Sequence, residues 1–338
     1  MGASAEKLSR PNAGPCGRGR AMLALKLMVS LGLLALLAVS ADLEAVAGLI
    51  FSLPLWAAVV AVASTAFITL VSSLRWFLVL RALGRPLPLR QVGELMFVGT
   101  FFTQVLPTSV GGDAVRIWQS ARCGVGFGKA FSSVMLERAS GLLALVLMVA
   151  AGVIWLGGLI DLPALRLLLL AALPALFGGL ALLCLLDRLP ASWAALLARL
   201  PFGAASWDLV RSMAADARAV FLGQPLSLQL LALSAAAQLG SVLAVWALAT
   251  GLGLALPFGA ALAVVPAIIL ITFIPLSLGG WGLREGASVV MFGFIGLGAE
   301  SALAVSVLLG IALLVSSLPG CWLWLKEGRR LPAVSSPA

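Results

Sequence analysis

Pro107-Thr108-Ser109-Val110-Gly111-Gly112-Asp113-Ala114-Val115-Arg116 aligns without gaps on Pro275-Leu276-Ser277-Leu278-Gly279-Gly280-Trp281-Gly282-Leu283-Arg284. Both read Pro-x-Ser-x-Gly-Gly-x-small-aliphatic-Arg, and each interrupts a pair of apolar segments. The shared residues are not the ones an apolar composition repeats by accident, so the two stretches read as an internal duplication. The pattern predicts two broken helices. Proline removes a backbone N–H and stops the incoming helix. Gly111-Gly112 and Gly279-Gly280 permit positive φ and close backbone approach. The N–H groups opening the next half-helix, aided by its dipole, then form an anion site. Ser109 and Ser277 add hydroxyls, and Arg116 and Arg284 stand about one turn in, where a guanidinium clamps a phosphate bidentately. Neither copy is a phosphate loop, because Gly-Lys-Ser/Thr is missing. The alternative reading is a pair of tight turns with Arg116 and Arg284 as interface anchors.

Outward from the motifs, composition sets the solvent. The 338 residues are 62% hydrophobic and 10% charged, with a mean hydropathy of +1.13. A soluble domain carries about 45–50% apolar and about 25% charged residues. Lipid must therefore solvate most of this chain, as an all-α polytopic membrane bundle. The net charge of +9 sits largely in short loops beside apolar spans. That encodes topology and argues against nucleic acid as a partner. Histidine and tyrosine are absent, which excludes a His general base, a Ser-His-Asp triad and a His-ligated zinc. Cys16, Cys123, Cys184 and Cys321 stand far apart with no Cys-x-x-Cys. They read as small apolar side chains or spare thiols, so neither metal nor cofactor is expected.

The charges orient the spans. Residues 1–20 read as a disordered basic cytoplasmic tail. An apolar run over 21–41 leads outside, with a cleaved signal peptide ending near Ala38-Val39-Ser40 as the alternative. Residues 55–80 return to a loop holding Arg81, Arg85 and Arg90, and Arg75 is read as snorkelling from the inner end of that span. Residues 92–106 cover only about 22 Å of a roughly 30 Å core. The basic residues Arg116, Arg122 and Lys129 follow, so a re-entrant hairpin keeps them inside. Spans follow at 130–156 and 164–186, then a cytoplasmic interfacial segment over 187–224, then 226–249. The second broken pair is 258–274 with 281–297, and a last span over 301–325 ends at Lys326 before a cytoplasmic tail, 327–338. The expectation is one transmembrane domain over 21–326, with six full spans and two broken or re-entrant pairs. Its halves, about 21–157 and 164–326, enter the membrane from opposite sides, the pattern of an inverted repeat. Both termini are then cytoplasmic.

Glu137-Arg138 interrupts an apolar span, where a charge costs roughly 2.5–3.5 kcal/mol at the bilayer centre. Adjacent helical residues point about 100° apart, so the two are expected to take different partners. Arg116 or Arg284 suits Glu137, and the bland alternative is that both residues snorkel. Asp113 and Glu285 flank the motifs, as holders of the arginines or as proton carriers. Glu94 lies one turn past Arg90 and reads as interfacial. The candidate substrate-binding set is thus Ser109, Gly111, Gly112, Asp113, Arg116, Glu137, Arg138, Ser277, Gly279, Gly280, Arg284 and Glu285.

Leu106–Arg116, then Leu136-Glu137-Arg138-Ala139-Ser140-Gly141-Leu142, then Pro275–Glu285 together resemble the lysylphosphatidylglycerol synthase transmembrane family. The resemblance covers about residues 22–326. It implies a flippase-like protein of the bacterial cytoplasmic membrane. In bifunctional members a soluble C-terminal domain makes aminoacylated phosphatidylglycerol, and this sequence lacks that domain. The function expected from the resemblance is non-enzymatic translocation of a phosphate-bearing lipid, with membrane lipids and a separate lipid-modifying enzyme as partners. The alternatives are a small-anion secondary transporter, a membrane-embedded transferase acting on a lipid carrier, and a non-transporting scaffold.

Overall fold

The computed structural model describes residue 28 and residues 42–106, 110–155, 173–174, 177–185, 188, 203–223, 225–273 and 282–328. Its longer elements are α1 (Leu43–Phe51), α2 (Leu55–Ala82), α3 (Leu89–Val105), α4 (Gly111–Ser120), α5 (Phe127–Trp155), α6 (Gly203–Phe221), α7 (Leu226–Gly251), α8 (Phe258–Thr272), α9 (Leu283–Gly293) and α10 (Ala299–Gly328). A π-helical turn, Ala121–Val125, links α4 to α5. Among the described residues there is no strand.

Four of these helices, Leu55–Ala82, Phe127–Gly152, Leu226–Gly251 and Ala299–Lys326, are long and apolar enough to cross a membrane. The all-α polytopic bundle expected from composition is what forms. The runs at 21–41 and 164–186 and both tails lie wholly or largely outside the described residues, as does 187–224 apart from α6 and its flanks. One element was not foreseen. Asp42 accepts hydrogen bonds from the backbone N–H of Glu44 and Ala45 at 3.0 and 3.1 Å, and this N-cap starts α1.

Long, short, short, long is the order of α2 to α5, with 28, 17, 10 and 29 residues. The same order returns in α7 to α10, with 26, 15, 11 and 30. The turns match as well. Gly84 (φ 69°) follows α2 and Gly253 (φ 73°) follows α7, a left-handed conformation that only glycine adopts cheaply. Pro88 and Pro257 then stand at the N-caps of α3 and α8.

α2 and α7 pack side by side in opposite directions. Gly251 meets Ala57 and Pro54, Gly240 meets Ile68 and Phe67, and Arg75 bonds Ser234. The outer long helices cross over to the other unit's short one. A Cβ at Gly320 of α10 would collide with the backbone of Phe97 on α3, and one at Gly152 of α5 would lie 2.9 Å from Ala263 on α8. These two glycines stand at the same offset as the two sequence motifs. Their missing side chains let the helices touch backbone to backbone.

Of the two uses expected of the first Gly-Gly, close backbone approach is present and positive φ is not. Gly111 and Gly112 are the first two residues of α4 and neither has positive φ. Both are buried, and a Cβ at Gly112 would strike Gly99 O and Thr103 Oγ1. Close packing of α4 on α3 is what requires glycine here. In the second copy the Gly-Gly pair lies outside the described residues, and Gly282 (φ 84°) is the N-cap of α9. Arg284 consequently sits in the first turn of its helix, whereas Arg116 sits in the second.

Candidate functional site

α2 carries a polar stripe through an apolar span: Thr65, Thr69, Ser72 and Arg75 recur at helical spacing and line one cavity. The two threonines satisfy their hydroxyls within the helix, on Ala61 O at 3.0 Å and Thr65 O at 3.3 Å. Arg75 does not snorkel, which corrects the sequence expectation. It is 8% exposed, because two partners inside the bundle hold it. Its Nε donates to Glu137 Oε1 at 3.0 Å, one terminal nitrogen pairs with the same carboxylate, and the other donates to Ser234 Oγ on α7 at 3.0 Å.

Glu137 on α5 also receives Arg116 from α4. Both terminal nitrogens of Arg116 donate to Glu137 Oε2 at 3.2 Å. The Arg116 guanidinium lies 4.3 Å from the Trp76 ring centroid, a cation–π contact in a desolvated place. Asp113 accepts from Arg116 at 3.3 Å and from Arg138 at 3.0 Å. Glu137 and Arg138 therefore take different partners, as their angular separation requires. The sequence reading left Glu137 between Arg116 and Arg284, and the geometry selects Arg116 together with Arg75.

Three guanidiniums and two carboxylates thus meet, so the cluster carries one net positive charge. It borders a cavity of about 260 Å³ walled by α2, α3, α4, α5, α7, α8 and α10, with Thr100, Thr103, Gln238 and Ser241 adding neutral polar groups. Four members are nearly inaccessible, and Arg138 is the exception, with its side chain 37% exposed. Among the described residues, Arg116 Nε finds no hydrogen-bond acceptor in the protein, and Arg138 Nε lies 2.9 Å from Asp113 Oδ2 without a well-directed hydrogen bond. Such donors are suited to an incoming anion.

Arg284 and Glu285 form a second cluster. Arg284 donates to Glu285 Oε1 at 2.6 Å and to Ser306 Oγ on α10 at 3.2 Å. Glu285 is 1% exposed and also accepts from the backbone N–H of Gly282 at 2.6 Å. In both units the motif arginine reaches the following long helix, onto Glu137 in one and Ser306 in the other. Ser109, Ser277, Gly279 and Gly280 lie outside the described residues. Glu94 pairs with Arg90 at 3.0 Å on the surface, apart from either cluster.

Arg75, Trp76, Ser234 and Ser306 were not foreseen as members. For Arg75 the signal was present, since Thr65, Thr69 and Ser72 precede it on one helical face. Ser234 and Ser306 sit among small apolar residues, and nothing local distinguishes them.

No curated protein matches the chain. A family model described as Lysylphosphatidylglycerol synthase TM region matches residues 23–320. The match takes in the polar stripe of α2, both motifs, the Glu137-Arg138 pair and Ser306, so the residues that build the two clusters all fall within it. This chain is a membrane protein belonging to the lysylphosphatidylglycerol synthase TM region family.

Proposed function

We propose that this protein moves a phosphate-bearing lipid between the leaflets of the bacterial cytoplasmic membrane, without catalysing a reaction. The observation that carries this reading is the cavity with three guanidiniums against two carboxylates, enclosed by apolar helices. A charge inside a membrane bundle is costly and is retained where it serves a substrate or ion path. Arg138, which lines the cavity and is the cluster's accessible guanidinium with its side chain 37% exposed, is the group that contacts the headgroup phosphate. Glu137 and Asp113 hold the guanidiniums in place.

The matching order of helices, the matched glycine turns and the opposed α2 and α7 support an inverted repeat. At 1.5 Å per residue α3 is about 25 Å long and α4 about 15 Å, both short of a roughly 30 Å core, which supports a re-entrant pair. In this topology both termini are cytoplasmic, the substrate is a membrane phospholipid, and the lipid is supplied or modified by a separate enzyme. The two units rock against each other about the charged cavity to alternate access.

The test is reconstitution into vesicles with fluorescent phosphatidylglycerol in the bilayer and inorganic phosphate trapped inside. Leaflet exchange above protein-free vesicles, with no phosphate efflux, is the expected result. Phosphate efflux without lipid exchange would establish a small-anion transporter instead. Loss of exchange in the double variant Arg116→Ala, Arg284→Ala ties the activity to the motif arginines.

A further inference from the structure

A second cavity, about 490 Å³, opens between α5, α7 and α8. Its walls include Met148 and Gly152 of α5, Leu239 of α7 and Leu262 of α8, and among the described residues its whole lining is apolar or glycine. It faces outward, since Ala151 on its rim is exposed and Leu239 is 44% exposed. An apolar hollow of this size is destabilising when empty, so hydrocarbon will fill it where hydrocarbon is at hand. Around a membrane bundle the hydrocarbon at hand is an acyl chain.

The hollow continues the charged cavity along two helices. On α5, Gly141 borders the charged cavity, and Met148 and Gly152, seven and eleven residues on, border the apolar one. That spacing keeps all three on one helix face. On α8 the order reverses with the same spacing: Leu262 borders the apolar cavity, and Ile269 and Phe273 border the charged one. Seven helical residues separate the two by about 10 Å. A cationic pocket and an apolar trough on one continuous stripe, the trough open to the side, match an amphiphile with an anionic head.

We propose that this trough seats an acyl chain of the same lipid whose headgroup anion meets Arg138, so that the substrate is recognised by head and tail together. This rests on the translocator reading. A free anion would use only the charged cavity, and an unrelated bilayer lipid would use only the trough.

Binding to the purified protein in detergent, with dioleoyl phosphatidylglycerol and glycerol 3-phosphate as probes, separates these cases. Ala151→Trp fills the trough from its exposed rim and displaces several methylenes. It is expected to weaken the dioleoyl lipid about tenfold or more while leaving glycerol 3-phosphate unchanged. Leu262→Ala enlarges the trough and is expected to favour a longer chain, again without changing glycerol 3-phosphate. Unchanged lipid binding in Ala151→Trp, or equal loss of both probes, would overturn the proposal. If wild type binds the lipid but not glycerol 3-phosphate, and Ala151→Trp still abolishes the lipid, the tail site stands and the headgroup reading falls. If wild type binds neither probe, both fall.

Discussion

Glu137 accepts from Arg75 on α2 and from Arg116 on α4, so its removal leaves the buried Arg75 without a carboxylate and Arg116 with Asp113 alone. Breaking a buried pair from one side costs about 3–5 kcal/mol. Glu137→Ala is therefore expected to lower the melting temperature markedly in detergent, and a melt like that of wild type would contradict the burial. Arg138 differs because its side chain is 37% exposed and it holds only Asp113. Arg138→Gln is expected to cost no more than about 1 kcal/mol of stability, with its main effect on anion binding. At this scale the sequence was partly legible. Two adjacent charges in an apolar run marked Glu137 and Arg138 unaided. Arg75 was misread because distance along a helix does not say which way a long side chain turns. Its direction is set by Glu137, 62 residues away.

Helices meet where side chains are missing. Gly320 of α10 rests on the backbone of Phe97 and Val98, which cannot retreat as a side-chain tip can. Gly320→Ala is expected to destabilise by about 1–3 kcal/mol through overpacking. Gly286 of α9 has open space around its Cβ position, so Gly286→Ala is expected to be neutral or to stabilise by up to about 1 kcal/mol through helix propensity. Thermal unfolding of the two variants side by side checks the contrast, and equal shifts would refute it. The lengths of α2, α3, α5, α7, α8 and α10 were readable within a few residues, because apolar runs end at charges, Pro or Gly. Which of its two expected uses Gly111-Gly112 serves was not readable. A glycine pair serves a left-handed turn or a close contact equally well, and Gly99 and Thr103 decide between them. α1 was missed because Asp42 was not recognised as the cap that starts a helix.

Among the described residues, α2 to α5 and α7 to α10 form two units of four helices that meet along α2 and α7, and both of these helices help to wall the net positive cavity. If α3 and α4 form a re-entrant pair, Arg85 and Arg122, which flank it, face the same side. In a protein with its four cysteines replaced, Arg85→Cys and Arg122→Cys are both expected to react with an impermeant maleimide in inside-out vesicles and not in right-side-out ones. Reaction from opposite sides would mean that the pair crosses the membrane. A duplication was suggested by ten residues in each copy, because Pro, Ser, Gly-Gly and Arg are rare enough in apolar sequence to align, and the recurring order of helices supports it. The asymmetry of the two units was not legible. Arg116 meets the carboxylate of Glu137, whereas Arg284 meets the hydroxyl of Ser306 and the neighbouring Glu285. Those contacts exist only once the chain is folded. The most direct measurement is the rate of leaflet exchange of fluorescent phosphatidylglycerol in vesicles holding wild type or folded Arg138→Gln. Wild type is expected to exceed protein-free vesicles, and the variant to be slower by about tenfold, the worth of one charge-assisted contact. Equal rates in the two proteins, or no exchange with wild type, would contradict transport of an anionic headgroup through this cavity.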